Sequence, residues 1–327
     1  MNEKHKYSYH FTLIFTMILL CIIIHSLYDI FAEEEPEKEI QISAIIEDSS
    51  SPRWNSFLLG MEHAAKDFHA DLTIVPTGRY ESGKDGWDLV NKKIEDGADG
   101  IIFAPESSED IPEFYENLMG ESKIIFVENE MQMDENTFYP SIMMLPDYKE
   151  MGKRIVEDIK EDFGADLKNK KFYLLTSCSK QIGVRDSMEY VKSKLLDEGC
   201  IFQKSIDIDL EDNKNYMKHG QADIIVAFDD YTLSYLAESI KSQRINHISL
   251  YGIGLSETNV NYLEERILKN LIVVNEFQMG YESLSILAES IRNHSIESKK
   301  YTVDFMSVRP EEIHNPKIEK LLFPIIQ

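Results

Sequence analysis

The sequence predicts an α/β protein of two units, each built on a parallel sheet and both facing a common cleft, behind one N-terminal transmembrane helix. Three observations carry this. Residues 97–106 read Gly-Ala-Asp-Gly-Ile-Ile-Phe-Ala-Pro-Glu. A Gly/Asp turn leads into a short uninterrupted apolar run, as in a strand buried on both faces, and Pro105 stops it. The same pattern returns at residues 221–230, Gln-Ala-Asp-Ile-Ile-Val-Ala-Phe-Asp-Asp. Apolar runs of strand length also alternate with helix-period segments through both halves of the chain, which marks βαβ units.

At 327 residues the chain can bury two cores, and 43% hydrophobic residues is ordinary for a folded globular protein. The formal net charge of -24 excludes nucleic-acid backbone binding, which needs a basic footprint, and otherwise serves solubility. Of three cysteines, Cys21 lies in the apolar N-terminal run. Cys178 and Cys200 have no metal-ligand spacing and remain open to being free thiols or a bridge. The nine histidines are scattered, so neither a metal nor a cofactor is expected.

Phe11 to Ile24 is almost wholly apolar and the run continues through Leu27, Tyr28, Ile30 and Phe31. That is close to the roughly 20 residues a helix needs to cross a bilayer. A cleaved signal is the rival, but bulky Ile30 stands where its small-residue motif would lie, and an uncleaved anchor is favoured. Lys4 and Lys6 precede the run and Glu33, Glu34 and Glu35 follow it. This orientation places residues 1–10 in the cytoplasm, 11–31 in the membrane and everything after the acidic linker 32–39 outside.

Strands are expected at Ile40–Ile46, Asp71–Val75, Gly100–Phe103 and Lys123–Val127, separated by helices from Trp54 to Ala65, Trp87 to Ile94 and Ile111 to Met119. A helix from Asp147 to Ile159 precedes a second series. Its strands are Lys171–Thr176, Phe202–Ile208, Asp223–Phe228, Ile248–Tyr251 and Leu271–Val274. Its helices are Arg185–Leu196, a short one after Ile208, Tyr231–Ile240 and Asn261–Leu268, with Met279–Ile291 after the last strand. Tyr301–Val308 reads as one strand, and the tail after Pro310 has no clear assignment.

Enzyme signatures are missing: the chain has no Gly-rich phosphate loop, no Gly-x-Ser-x-Gly elbow and no paired-histidine zinc helix. In open α/β sheets ligands bind beyond the carboxyl ends of the strands. That rule selects the loops at Asp48–Trp54, Ala104–Glu106, Glu128–Glu130, Ser177–Arg185, Phe228–Asp230, Gly252–Leu255 and Asn275–Gln278.

Ile45-Ile46 through Ser51-Pro52-Arg53-Trp54, Gly97–Pro105, Ala222–Asp230, Tyr251-Gly252-Ile253 and Gln278–Tyr281, in that order, resemble the ribose-binding type of periplasmic solute-binding proteins. The likeness runs from Ile40 to about Val308. It implies two doubly wound lobes joined by hinge strands that close on a small polar ligand, a carbohydrate. By the family's chain path, lobe 1 comprises 40–145 plus 276–302 and lobe 2 comprises 146–275 plus 303–327. Hinges fall near Pro146, Asn275 and Val303. Related repressors carry a DNA-binding helix-turn-helix before this core, where the present chain has an apolar segment.

The resemblance implies a site made of Ser51, Arg53, Trp54, Glu128, Asn129, Arg185, Asp229 and Asn275. Trp54 would stack on a sugar ring or else pack into the lobe. Glu128 and Asp229 would accept hydroxyl hydrogen bonds, Arg185 would donate them, and Asp230 would cap the helix from Tyr231. Departures are an alanine at 104 where the family often has a polar residue, and a glycine at 254 where it has an aspartate. The implied partners are an ABC permease, which would import the ligand, or a sensor kinase, which would be signalled by it. An ectodomain that keeps the fold without binding a ligand is the alternative.

Overall fold

The structure, a computed structural model, describes residues 13–26, 39–47, 54–77, 83–109, 123–131, 142–207, 222–294 and 299–323. The chain divides into two compact units, residues 1–39 and 40–327. In the first, residues 13–26 form a helix of 14 residues with exposed apolar side chains. Among the described residues no helix is long and apolar enough to cross a membrane. The transmembrane helix expected over Phe11–Phe31 is therefore not seen; its ends fall outside the described residues.

The second unit holds two six-stranded sheets. Strands β1 (Ile40–Glu47), β2 (Ala70–Thr77), β3 (Gly100–Phe103), β4 (Lys123–Val127) and β5 (Ile142–Pro146) belong to the first, with helices α1 (Asn55–Asp67) and α2 (Gly83–Glu95) between them. Helix α3 (Tyr148–Phe163) leads to the second sheet. That sheet contains β6 (Lys171–Thr176), β7 (Ile201–Asp207), β8 (Ile224–Ala227), β9 (Ser249–Ile253) and β10 (Leu268–Val274). Helices α4 (Ile182–Asp197), α5 (Asp230–Gln243) and α6 (Glu257–Glu264) interleave with them. Helix α7 (Glu276–Arg292) and β11 (Lys299–Val303) return to the first sheet, while β12 (Phe305–Val308) completes the second before the short helix α8 (Pro316–Leu322).

The spatial orders are β2-β1-β3-β4-β5-β11 and β7-β6-β8-β9-β10-β12. Every pair is parallel except β10–β12. Each lobe is thus doubly wound, with strand order reversing beside β1 and beside β6. Alternation along the strands explains the layers. Ile42, Ala44, Ile102 and Ile125 pack with Phe57 and Met61 of α1 and Met279 and Leu287 of α7, in a cluster that continues into the second lobe. Ile45, Ile101, Phe103 and Phe126 face Trp87, Val90 and Ile94 of α2. In the second lobe Phe172, Leu174 and Val226 meet α3 and α4, and Leu175, Ile225 and Val273 meet α5 and α6.

Helices α1 and α7 approach closely at Gly60 and Gly280. A Cβ on either would stand 2.1 Å from a backbone carbonyl of the other helix, Phe277 or Phe57 respectively. Only glycine allows this approach.

Four expectations change. Ile142–Pro146, with no strand expected, pairs between β4 and β11. The helix expected at Asn261–Leu268 runs over Glu257–Glu264, and Leu268 already opens β10. Tyr301–Val308 is two strands in different sheets, divided at Asp304. The tail contains a 3-10 turn at Pro310–Glu312 and α8. The helices expected at Ile111–Met119 and after Ile208 lie outside the described residues.

Candidate functional site

The carboxyl ends of β4, β5, β6, β8, β9 and β10 converge between the lobes on a cavity of about 60 Å³. Glu128 and Pro146 come from the first lobe's strand ends. Cys178, Gln181, Phe228, Asp229, Asp230 and Gly254 come from the second, with Tyr148 and Glu276 at the two helix starts where the chain leaves a sheet. Tyr148, Val184, Phe228 and Val274 make part of the wall apolar, and the carboxylates supply acceptors, a mixture typical of small-molecule sites.

Of the residues expected in the site, Glu128 and Asp229 line this cavity. Glu128 has φ of 62°, left-handed backbone that a side-chain-bearing residue enters at a cost. Its amide donates to the Met144 carbonyl at 3.0 Å and its carbonyl accepts the Tyr148 hydroxyl at 2.8 Å, which hold the turn. Asp229 is only 7% exposed and accepts five hydrogen bonds. Oδ1 takes the Thr232 amide at 2.8 Å and Ser177 Oγ at 2.9 Å. Oδ2 takes the Ser177 amide at 2.7 Å, Thr232 Oγ1 at 2.8 Å and Thr176 Oγ1 at 3.0 Å. Asp229 is thus the N-cap of α5 and ties that helix to the end of β6.

Trp54, Asn129, Arg185 and Asn275 do not line this cavity. Trp54 is 3% exposed and packs edge-on against Phe57, ring centroids 5.3 Å apart, within the lobe's core. Asn129, 1% exposed, donates through Nδ2 to the Pro105 carbonyl at 3.1 Å and accepts Ser108 Oγ at 2.6 Å. Arg185 donates to Glu109 Oε1 at 2.9 Å across the lobes. Asn275 caps α7, accepting the Gln278 amide at 3.1 Å, and its own amide donates to the Asp304 carbonyl at 3.0 Å, which binds two of the crossing segments side by side. Ser51 and Arg53 lie outside the described residues.

Asn129 and Arg185 belong to a direct seam between the lobes. Ser108 is fully buried; its amide donates to the Lys180 carbonyl at 3.1 Å, and its Oγ accepts the Ile182 amide at 2.9 Å. The side chain of Gln181, the residue at the N-cap of α4, makes no capping bond, so the hydroxyl that caps this helix comes from the opposite lobe. Glu106–Lys180, at 3.4 Å, and Glu109–Arg185 flank it on the exposed side.

Gln181, Asp230 and Glu276 lie in loops that the strand-end rule selected but were not among the residues expected in the site, and Tyr148 lies outside those loops. Asp230 lies beyond the cap: its Oδ1 accepts the Leu255 amide at 2.7 Å, the Ser256 amide at 2.8 Å and Asn259 Nδ2 at 3.0 Å. A Cβ at Gly254 would stand 2.6 Å from that same oxygen, so Asp230 fills the space a side chain at 254 would need. Cys178 and Cys200 are free thiols, not a bridge. Among the described residues no group of histidine, cysteine and carboxylate side chains could hold a metal.

Comparison with known proteins agrees with this architecture. A carbohydrate transporter solute-binding protein from Agrobacterium radiobacter, in complex with D-arabinose, superposes with a TM-score of 0.71 at 15% identity, covering 88% of this chain and 99% of that one. A solute-binding protein of an ABC transporter from Agrobacterium vitis, bound with α-D-tagatopyranose, gives 0.74 at 14% identity, covering 87% and 99%. The XylFII–LytSN complex gives 0.67 at 14% identity, covering 84% and 99%. No curated protein sequence matches. The model of the periplasmic binding protein domain matches residues 42–295, from β1 to α7, which includes five strands of each sheet and the cleft residues but not β11 and β12. The chain is a member of the periplasmic binding protein domain family, whose relatives are non-enzymatic binding proteins.

Proposed function

We propose that this protein is an extracytoplasmic solute-binding protein whose lobes close on a small carbohydrate. The observation that carries the reading is the cavity itself: strand ends of both lobes line it, so a ligand held there bonds to both at once and favours the closed arrangement. Glu128 supplies an acceptor from the first lobe. Tyr148 and Phe228 offer apolar faces for the C–H side of a sugar ring. Structural neighbours that hold D-arabinose and tagatopyranose support the ligand class.

The N-terminal helix, apolar on all sides, is the membrane tether in this reading, with Lys4 and Lys6 on the cytoplasmic side. A tether raises the concentration of the closed protein near a membrane partner, either an ABC permease or a sensor kinase. A neighbour solved together with a protein partner supports such a docking role.

The test is thermal melting of the full chain in nanodiscs with D-arabinose, D-fucose, D-tagatose and a panel of other monosaccharides. A ligand at a hundred times its Kd stabilises by about 2.7 kcal/mol, an upward shift of several degrees. A panel without a single shift would remove the carbohydrate reading.

A further inference from the structure

We propose that Asp230, not its neighbour Asp229, is the carboxylate through which the second lobe grips the ligand. This rests on the reading of the cleft given above and names its acceptor. The two aspartates sit side by side at the end of β8 and both line the cavity, yet their oxygens are used differently. Asp229 has both oxygens engaged by five donors supplied by Thr176, Ser177 and Thr232. A carboxylate offers about four lone-pair sites, so no acceptor capacity remains for a ligand.

Asp230 is held by one oxygen only. Oδ1 sits in a cradle of the Leu255 and Ser256 amides and Asn259 Nδ2, and the same Nδ2 also donates to the Asp230 carbonyl at 2.9 Å. Oδ2 makes no hydrogen bond or ion pair with the described residues. The carboxylate is therefore fixed in place through one oxygen and presents the other beside the cavity, as a preorganised acceptor for hydroxyl or amine hydrogens. Gly254 is part of the device: a side chain there would collide with Asp230 Oδ1 at 2.6 Å and displace the cradle.

The arrangement makes isosteric substitutions diagnostic. In Asp230→Asn the amide oxygen takes the cradle and its NH₂ replaces the unengaged Oδ2. In Asp229→Asn either orientation turns an NH₂ towards a backbone amide that needs an acceptor, that of Ser177 or that of Thr232. Melting of the full chain in nanodiscs should therefore find Asp230→Asn within about 2 °C of wild type and Asp229→Asn lower by about 5 °C or more. Any sugar of the panel that shifts the wild type, D-arabinose and D-tagatose first, should bind Asp230→Asn at least tenfold more weakly by calorimetry. Unchanged sugar affinity in Asp230→Asn overturns the proposal while leaving the carbohydrate reading intact. If no sugar shifts the wild type, the carbohydrate reading falls and the melting pair decides: Asp230→Asn as destabilised as Asp229→Asn shows Oδ2 to be structural and overturns the proposal, and wild-type melting supports it.

Discussion

Replacing Gly60 by alanine should destabilise the protein although alanine is the better helix former. Inside a helix the exchange contributes about 1 kcal/mol in favour of folding. Against it stands the crossing of α1 and α7, where the new Cβ would lie 2.1 Å from the Phe277 carbonyl oxygen and 2.9 Å from the Tyr281 amide nitrogen. The added atom needs roughly 0.9 Å more room to reach 3.0 Å, the shortest approach a real Cβ shows, and backbone atoms cannot rotate away. The helices must part, which unpacks the buried side chains of Phe57, Met61, Met279 and Leu287. Overpacking of this kind costs about 3 kcal/mol or more, so the net loss is about 2 kcal/mol. That lowers the midpoint of thermal unfolding by about 4–8 °C. Gly280→Ala, 2.1 Å from the Phe57 carbonyl, should behave alike, and the double variant should cost less than the sum because the first substitution already makes room for the second. Gly152→Ala is the milder comparison: its Cβ meets the rotatable Ser187 hydroxyl at 2.8 Å and the Ser187 carbonyl oxygen at 3.2 Å, a backbone approach about 1.1 Å longer than at Gly60, so it should cost less than Gly60→Ala. Calorimetric melting of the four variants decides the matter. A Gly60→Ala protein that melts at or above the wild-type temperature refutes the close-crossing account.

Trp54→Ala should cost about 3–5 kcal/mol by emptying a buried site against Phe57, so chemical denaturation, not sugar affinity, is where its effect should appear first. Burial pushes the Cys200 thiol up to about 11, and this buried thiol donates to the Leu167 carbonyl. Alkylation of the native chain at pH 8 should therefore label half-buried Cys178 well before Cys200, and equal labelling by peptide mass analysis would contradict that packing. Burial, with the hydrogen bond to Asp162 at 2.6 Å, raises the Tyr251 phenol far above its usual range. Above pH 10 the unfolded chain releases that proton while the folded one keeps it, so stability is lost as pH rises, by about 1.4 kcal/mol per unit from this group. Urea unfolding at pH 9 and 11 should show a shallower decline in Tyr251→Phe; an unchanged slope would deny the phenol that role.

The alternation of strands and helices was legible because strands buried on both faces need unbroken apolar runs, such as Ile101–Phe103 and Ile224–Ala227, and helices need a single apolar stripe. β5 was not, since Ile-Met-Met-Leu-Pro carries methionines without β bias and ends in a proline. The division of Tyr301–Val308 at Asp304 left no local trace, because adjacent residues of one extended stretch take their partners from different sheets. The site was legible to the level of its loops. That Glu128 and the aspartates at 229 and 230 would be polar groups at strand ends follows from their positions. Which of them is already satisfied depends on Thr176 and Ser177, which meet Asp229 only once β6 and β8 are paired, and on Leu255, Ser256 and Asn259, which hold just one oxygen of Asp230 once β8 and β9 are paired. Arg185 and Asn129 show the same limit: their residue types announce hydrogen bonding, but their partners lie in Glu109 and Ser108, across or beside the cleft.

The capping of α4 by Ser108 makes local order and global shape one event. In the opening that the proposed function requires, the Ile182 amide exchanges a serine hydroxyl for water and the first turn of the helix becomes free to fray. A cap is worth about 1 kcal/mol, so this single hydroxyl weights the balance between parted and closed forms by roughly fivefold. Amide exchange at the start of α4 is consequently a gauge of the cleft built into the backbone, readable whatever compound the cleft holds.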